Sequence, residues 1–328
     1  MVRVKKVISL LARLSVSCLL LVLLFKFNKI DLAVLTNDIK GADKWLLAVG
    51  FLFSIFSCIL GFLRWKMLLA GAGIKASLKK LISTFSGGIF FSIFLPSTIG
   101  GDLVRVADLA QHTQKAKEVV ATVFLDRLSG YIGLVLVIFP ALLLGGDLIS
   151  DKVVFSSVST IILLLAVILL VLFNNSIYSR ITKFFSTPGS GKIKETLKNI
   201  HREIHVFRHQ KRMIVSNLLI SFIIQLTLPI SVYFIGLALG VRISLVYFLI
   251  FLPIIGAITL LPVAIGGLGL RESLFVVYFA KVGVVKQLAL AMSLLSFSFF
   301  ILYGAMGGLI YVLTVHHRRL QPNKSPCV

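Results

Sequence analysis

The sequence predicts an all-α, polytopic integral membrane helical bundle with about six full crossings, two re-entrant hairpins and an inverted-topology repeat. Three observations predict it. First, 58% of the 328 residues are hydrophobic, 14% are charged and the mean hydropathy is +1.02, whereas soluble domains carry about 25% charged and about 45–50% apolar residues. Second, apolar runs recur at the ~20-residue length that crosses the hydrocarbon core. Third, one motif occurs twice: Leu95–Arg105 reads LPSTIGGDLVR and Leu261–Arg271 reads LPVAIGGLGLR, with Pro262 minus Pro96 and Arg271 minus Arg105 both equal to 166.

In chain order the spans are Val7–Phe27, Trp45–Leu63, Val119–Leu144, Val153–Phe173, Met213–Leu239 and Val284–Leu313. The first follows Arg3, Lys5 and Lys6 and has no small-residue cleavage site after Phe27, so it reads as an uncleaved span rather than a signal peptide. Ser15-Val16-Ser17-Cys18 resembles a lipoprotein cleavage site only faintly, because the apolar run continues past Cys18. Two further apolar stretches, Leu81–Gly101 and Leu245–Gly267, are each broken near their end by Pro-x-x-x-Gly-Gly. Proline withholds a backbone donor and glycine tolerates unusual dihedrals. In lipid such a break survives only when buried in protein or lining a wet cavity. Both stretches therefore read as re-entrant hairpins, with kinked spanning helices as the alternative.

Charge sets the orientation. The net charge of +22 needs no nucleic acid, because cytoplasmic loops collect Lys and Arg. It also favours anionic inner-leaflet lipids as partners. Arg3, Lys5 and Lys6 keep the N-terminus inside, and so do Arg64, Lys66, Lys75, Lys79 and Lys80 for the segment after the second span. Residues 174–212, with nine Lys or Arg from Arg180 to Arg212, and the tail with Arg318, Arg319 and Lys324 also fall inside. The balanced 28–44 segment and the 145–152 segment with Asp147 and Asp151 fall outside. Six crossings with both termini cytoplasmic satisfy this, and the first hairpin then enters from the cytoplasm and the second from outside. Arg242, Lys281 and Lys286 fall outside, against the general bias.

Within one transmembrane domain, 1–328, residues 45–144 form a span, a hairpin and a span, and residues 213–313 repeat that unit with inverted topology. The 153–173 span has no counterpart; it adds the crossing that inverts the second copy. Such repeats bind substrate near the bilayer midplane between the copies. Chance likeness of two glycine-rich apolar strings is the alternative.

An ionisable side chain at the bilayer centre costs about 2.5–3.5 kcal/mol on insertion scales and is a functional candidate by default. Asp102 and Arg105 stand three apart after the first Gly-Gly, so a helix resuming there places them on one face. Arg271 and Glu272 follow the second Gly-Gly. Asp126 and Arg127 lie in the Val119–Leu144 span, about 100° apart around a helix, and are expected to reach Asp102 and Arg105 instead of one another. Arg105, Arg127 and Arg271 would form a cationic substrate site, since guanidinium matches phosphate in bidentate geometry. The N–H groups at Gly100–Gly101 and Gly266–Gly267, beside new helix starts, would add anion affinity. Asp102, Asp126 and Glu272 would hold the arginines between substrates. A static ion-pair network that only fixes packing is the competing reading.

The segments LPSTIGGDLVR, VATVFLDRLSG (Val120–Gly130) and LPVAIGGLGLRES (Leu261–Ser273) together resemble the flippase-like, lysylphosphatidylglycerol synthase transmembrane family, over nearly the whole chain. The resemblance implies an all-helical bundle with re-entrant hairpins that handles lipids between leaflets, in a bacterial inner membrane. Bifunctional members also carry a soluble aminoacyl transferase domain. With Val328 about fifteen residues past the last span, no such activity is expected of this sequence.

Remaining signals are weaker. Gly236-x-x-x-Gly240 and Gly304-x-x-x-Gly308 permit close helix packing, within the chain first and in a homo-oligomer as the lesser reading. Gln225 and Pro229 inside an apolar span suggest a kink or a cavity lining. Residues 192–212 alternate cations with Ile193, Leu197, Ile200, Ile204 and Phe207, as an amphipathic helix on the inner leaflet does. His201, His205 and His209 share one face there, more as polar residues than as metal ligands. Cys18, Cys58 and Cys327 have neither metal nor disulfide spacing. No Walker loop, dinucleotide fingerprint or nucleophile motif appears, so no cofactor, metal or catalytic residue is expected. The favoured function is translocation of a phospholipid or polyprenyl-phosphate-linked lipid. Its competitors are an intramembrane transferase with Asp102 or Asp126 as base, and a lipid-binding scaffold that does not transport.

Overall fold

A computed structural model describes residues 31–95, 98–145, 151–173, 210–259 and 267–319, with Ser15, Leu19 and Lys26 besides. The expected Val7–Phe27 span, Pro96, Pro262, Gly266, most of the amphipathic 192–212 segment with its three histidines, and the tail beyond residue 319 lie outside the described residues.

Among the described residues the structure is helical, with ten helices in order: α1 (Leu32–Gly41), α2 (Lys44–Gly71), α3 (Leu78–Phe94), α4 (Thr98–Thr113), α5 (Ala116–Leu144), α6 (Lys152–Phe173), α7 (Lys211–Ala238), α8 (Leu245–Thr259), α9 (Leu270–Ala280) and α10 (Lys286–Arg319). Five are long and apolar enough to cross a membrane: α2, α5, α6, α7 and α10. They coincide with the five expected spans that fall on described residues. Their outward faces carry large apolar side chains such as Leu52, Phe139, Leu163, Leu219 and Leu309, which suits lipid rather than water. Trp45 is exposed at the first turn of α2, where an indole sits well at a membrane–water interface.

Local chemistry explains where the helices begin. Asp31 accepts from Ala33 N (2.7 Å), Asp43 from Trp45 N (2.8 Å) and Leu46 N (3.1 Å), and Asp151 from Val153 N (2.9 Å) and Val154 N (3.0 Å). Acidic residues of the two short segments assigned to the outside are therefore N-caps of α1, α2 and α6, satisfying donors that a helix start leaves open.

The chain divides into two compact units. The first holds α1, α3, α4, α9 and α10. Within it α3 packs on α4 and α10, and α10 also packs on α9 and α1. The second holds α2, α5, α6, α7 and α8. Within it α7 packs on α2 and α5, α5 packs on α2 and α6, and Tyr233 of α7 meets Phe248 of α8 edge-on, with ring centroids 5.4 Å apart. Each unit draws elements from both of the segments 45–144 and 213–313.

Candidate functional site

In the first unit, α3 and α4 form an antiparallel hairpin around the first Pro-x-x-x-Gly-Gly motif. The direction follows from the close approaches: Lys80 meets Asp108, Gly88 meets Arg105, Ser92 meets Gly101 and Leu95 meets Gly100. As one helix ascends in residue number the other descends. Both glycines are required by that approach. A Cβ on Gly101 would lie 1.9 Å from Ser92 Oγ and 2.2 Å from the Gly88 carbonyl oxygen, and one on Gly100 would lie 2.5 Å from Leu95 Cβ. Gly100 and Gly101 also fall in the first turn of α4, whose N–H groups have no intrahelical acceptor.

Arg105 lies along the inside of this hairpin. Its Nη1 donates to Asp102 Oδ1 at 3.1 Å, the expected i,i+3 pair, and its guanidinium stands over the Phe85 ring at 4.9 Å. The absence of a side chain at Gly88 makes room for it, since a Cβ there would fall 2.4 Å from Arg105 Cγ. At the open end of the hairpin, Lys80 Nζ pairs with Asp108 Oδ1 at 2.6 Å and the Thr84 hydroxyl donates to the same carboxylate. That latch was not anticipated; Lys80 reads in the sequence as a loop cation, and Asp108 as one polar residue in a mixed segment.

The second arginine is also in this unit. Arg271 pairs with Glu272, donates from Nε to Ser293 Oγ at 3.2 Å, and stands 4.3 Å over the Phe297 ring of α10. Glu272 is fully buried and accepts from Gly269 N at 2.6 Å, which caps α9. Gly267 and Gly269 have φ of +74° and +82°, a region that glycine enters without strain. The two arginines stand at different levels of α10. Arg271 is held at Ser293 and Phe297, whereas α3 at the level of Arg105 packs on Gly307, Gly308 and Tyr311. Ten residues of helix, about 15 Å, separate Phe297 from Gly307. One phosphate group does not span that distance.

In the second unit, Asp126 of α5 accepts from Arg64 Nε of α2 at 2.8 Å, and Arg64 Nη1 donates to Ser221 Oγ of α7 at 3.1 Å. Arg64 is the functional candidate that sequence reasoning placed in a cytoplasmic segment; α2 continues to Gly71, so the side chain is helical and only 11% exposed. A signal was present: an aspartate inside an apolar span needs a donor, and Arg64 directly follows the apolar run ending at Leu63. Arg127, the neighbour of Asp126, is half-buried on α5. Gln225 Nε2 donates to the Gly130 carbonyl at 3.0 Å, which gives that polar residue a helix-bridging role between α7 and α5.

Asp102, Arg105, Asp126 and Glu272 are the charged residues buried among the described residues, and each belongs to an ion pair. No group of three His, Cys, Asp or Glu able to hold a metal ion occurs among the described residues. Long apolar helices with a few paired, inward-facing charges define an integral membrane protein of the helical-bundle class. The chain belongs to the family described as the lysylphosphatidylglycerol synthase TM region, whose model matches residues 10–307. It is also similar to a UPF0104 membrane protein of Pyrococcus horikoshii, 27% identical over 275 residues that cover 77% of this chain and 82% of the relative.

Proposed function

We propose that the protein is a membrane lipid translocase that moves a phosphate-bearing lipid, a phospholipid or a polyprenyl-phosphate-linked lipid, between the leaflets of a plasma membrane. The observation that carries this reading is the pair of arginines, Arg105 and Arg271, each following a Gly-Gly, each held by a carboxylate and an aromatic ring on a helix too short to be one of the long spans. A carboxylate that occupies part of a guanidinium leaves further donors for phosphate oxygens. Membership in a family of membrane domains handling lipids supports it.

With the first hairpin entered from the cytoplasm and the second from outside, Arg105 serves the inner half of the bilayer and Arg271 the outer half. Their ~15 Å offset along α10 suits a headgroup passed between two stations while its tails stay in lipid. Rocking of one repeat against the other would open each station in turn. Arg127, Gly100, Gly101, Gly266 and Gly267 are supporting donors in this reading, and Asp102, Asp126 and Glu272 hold the arginines in the empty state.

The deep burial of Arg105 against Gly88 and Phe85 favours a second reading, in which the pair only fixes hairpin packing in a lipid-binding scaffold. Reconstitution of the purified protein into phosphatidylglycerol vesicles separates the two. Labelled phosphatidylglycerol exchanges between leaflets with wild type, and at least tenfold more slowly with Arg271→Ala and with the charge-neutral double variant Arg105→Gln/Asp102→Asn, since a hydrogen bond to a charged group is worth about 1.5–3 kcal/mol. Wild-type rates in well-folded variants would give the scaffold reading its place.

A further inference from the structure

Two helices of the second unit share a register of their own. Both α2 and α7 have 28 residues. Lys211 minus Lys44 and Ala238 minus Gly71 are both 167, one more than the spacing of the Gly-Gly motifs. Their C-terminal caps are the same structure in that register. After α2, the N–H groups of Ala72, Gly73 and Ile74 donate to the carbonyls of Leu68, Ala70 and Leu69. After α7, those of Leu239, Gly240 and Val241 donate to the carbonyls of Ile235, Leu237 and Gly236. Each bond of the first set becomes one of the second on adding 167. Gly73 and Gly240, at φ of +66° and +80°, are the left-handed residues that end such helices. Ile74 and Val241 directly after them are both buried.

The same number governs how the two helices meet. Asp43 N donates to the Ala238 carbonyl at 3.0 Å, the Ser54 and Ser231 hydroxyls lie 2.8 Å apart, Arg64 Nη1 donates to Ser221 Oγ at 3.1 Å, and Gln210 Nε2 donates to the Gly71 carbonyl at 3.0 Å. Residue number rises along α2 as it falls along α7, so the pair is antiparallel. Adding 167 to Ser54 gives Ser221, and subtracting it from Ser231 gives Arg64, so the second contact turns into the third. The same exchange turns Asp43 and Ala238 into Gln210 and Gly71, the first contact into the fourth. The contacts therefore map onto one another across a two-fold axis midway along the seam, level with Cys58 and Gln225. Along the seam Phe53 and Phe234 stack with centroids 5.6 Å apart, Ser231 Oγ donates to the Gly50 carbonyl at 2.7 Å, and Ser54, Ser221 and Ser231 are buried. Small hydroxyl residues let membrane helices close to hydrogen-bonding distance.

We propose that the α2–α7 pair is the fixed fulcrum of the transport cycle. The role rests on the translocase reading, in which two inverted copies exchange conformations to face each leaflet in turn. Most contacts can differ between the two states. An interface between an element and its own counterpart is the same before and after the exchange, because its contacts only trade places. The two helices thus stay bonded at all four levels while the elements around them rearrange.

The test is a disulfide across the seam in a chain whose Cys18, Cys58 and Cys327 are serine. Ser54→Cys/Ser231→Cys joins two side chains already in contact. Asp43→Cys/Ala238→Cys, where the backbones meet, serves if the first variant fails to fold. The protein is reconstituted into phosphatidylglycerol vesicles, oxidised, and compared with the same protein reduced. The cross-link is expected to form readily, since both pairs lie within disulfide reach, and to leave exchange of labelled phosphatidylglycerol within about twofold of the reduced rate. Exchange slowed about tenfold or more by the cross-link and restored by reduction would overturn the fulcrum and leave the translocase reading standing. Failure of both variants to cross-link while folded would overturn the closed seam itself. No exchange by wild type or by the reduced variants would sink the translocase reading and the fulcrum's role with it; a complete cross-link would then mark a structural pair alone.

Discussion

A carboxylate in the interior of this bundle is tolerable only beside a donor, and Asp126 is the case to weigh. It is buried, paired with Arg64 across two helices, and the arginine in turn donates to Ser221 on a third. Taking one partner away leaves the other charge stranded, which typically costs about 3–5 kcal/mol, whereas replacing both with apolar residues of similar volume is often neutral. Asp126→Ala is therefore expected to lower the unfolding midpoint in detergent sharply, and Arg64→Met/Asp126→Leu to recover most of that loss. Equal losses in the single and the double variant would mean that the stability lies in packing around Arg64 rather than in the charge pair. The acids of the candidate site were legible in the sequence because an ionisable residue in an apolar run stands out: Asp102, Asp126 and Glu272 are all buried. Arg64 was harder to read, because it sits beside Lys66 at the edge of an apolar window and so reads as a loop cation; only the need of Asp126 for a donor pointed to it. The Arg105–Asp102 pair could be read from i,i+3 spacing, while Arg271 pairing with its immediate neighbour could not. That pairing depends on Glu272 turning back to cap Gly269, which leaves its carboxylate shared between a helix start and a guanidinium.

At the scale of elements, glycines decide how closely α3 can be approached. Besides Gly101 and Gly88 on the α4 side, Gly304, Gly307 and Gly308 of α10 lie against α3: a Cβ would fall 2.4 Å from Ile93 Cδ1, 2.9 Å from the Ser86 carbonyl oxygen and 2.3 Å from Phe90 Cδ2. The Gly304-x-x-x-Gly308 pattern is thus used inside the chain, for a close α3–α10 crossing. Gly101→Ala and Gly307→Ala both push a methyl group against backbone that cannot turn aside, and each is expected to destabilise the protein by a few kcal/mol through overpacking. Gly256→Ala in α8, where a Cβ meets nothing within 4 Å, is the control and should be neutral or stabilising by about 0.5–1 kcal/mol. Thermal unfolding of the three side by side checks this. The long helices were readable from hydropathy because lipid demands a continuous apolar run: α2, α5, α6, α7 and α10 fall where the runs predict. The half-length helices were less so. The expected stretches ended at Gly101 and Gly267, whereas α4 starts at Thr98 and runs on to Thr113 and α9 lies wholly beyond the second stretch. These arms mix polar and charged residues with apolar ones, since they pack against protein rather than facing lipid, and so they escape a hydropathy window.

For the whole molecule the decisive quantity is which ends share a face of the membrane. The antiparallel α3–α4 hairpin puts Lys75 and Gln114 at the same end of the first pair. Further along the chain α8 has 15 residues and α9 has 11, about 22 and 16 Å, and neither reaches across a core of about 30 Å alone. Two topologies follow. If the chain enters along α8 and returns along α9, Ser244 and Lys281 share a face, opposite to that of Lys75 and Gln114, and the two copies are inverted. If α8 and α9 make one broken crossing, Ser244 and Lys281 lie on opposite faces, α10 runs the other way, and the tail with Arg318 and Arg319 faces outside. The second arrangement would bring Lys281 and Lys286 inside but expel the more basic tail and rule out the proposed symmetry, under which Arg105 and Arg271 would lie in opposite halves of the bilayer. We therefore expect the inverted arrangement. Single cysteines at positions 75, 114, 244 and 281, in a chain whose Cys18, Cys58 and Cys327 are serine, should react with an impermeant maleimide in two pairs: 75 and 114 from the cytoplasmic side, 244 and 281 from outside. Labelling of 281 together with 75 and 114 would establish the broken crossing. It would also remove the outer-leaflet station from Arg271, and with it the two-station route for the lipid phosphate.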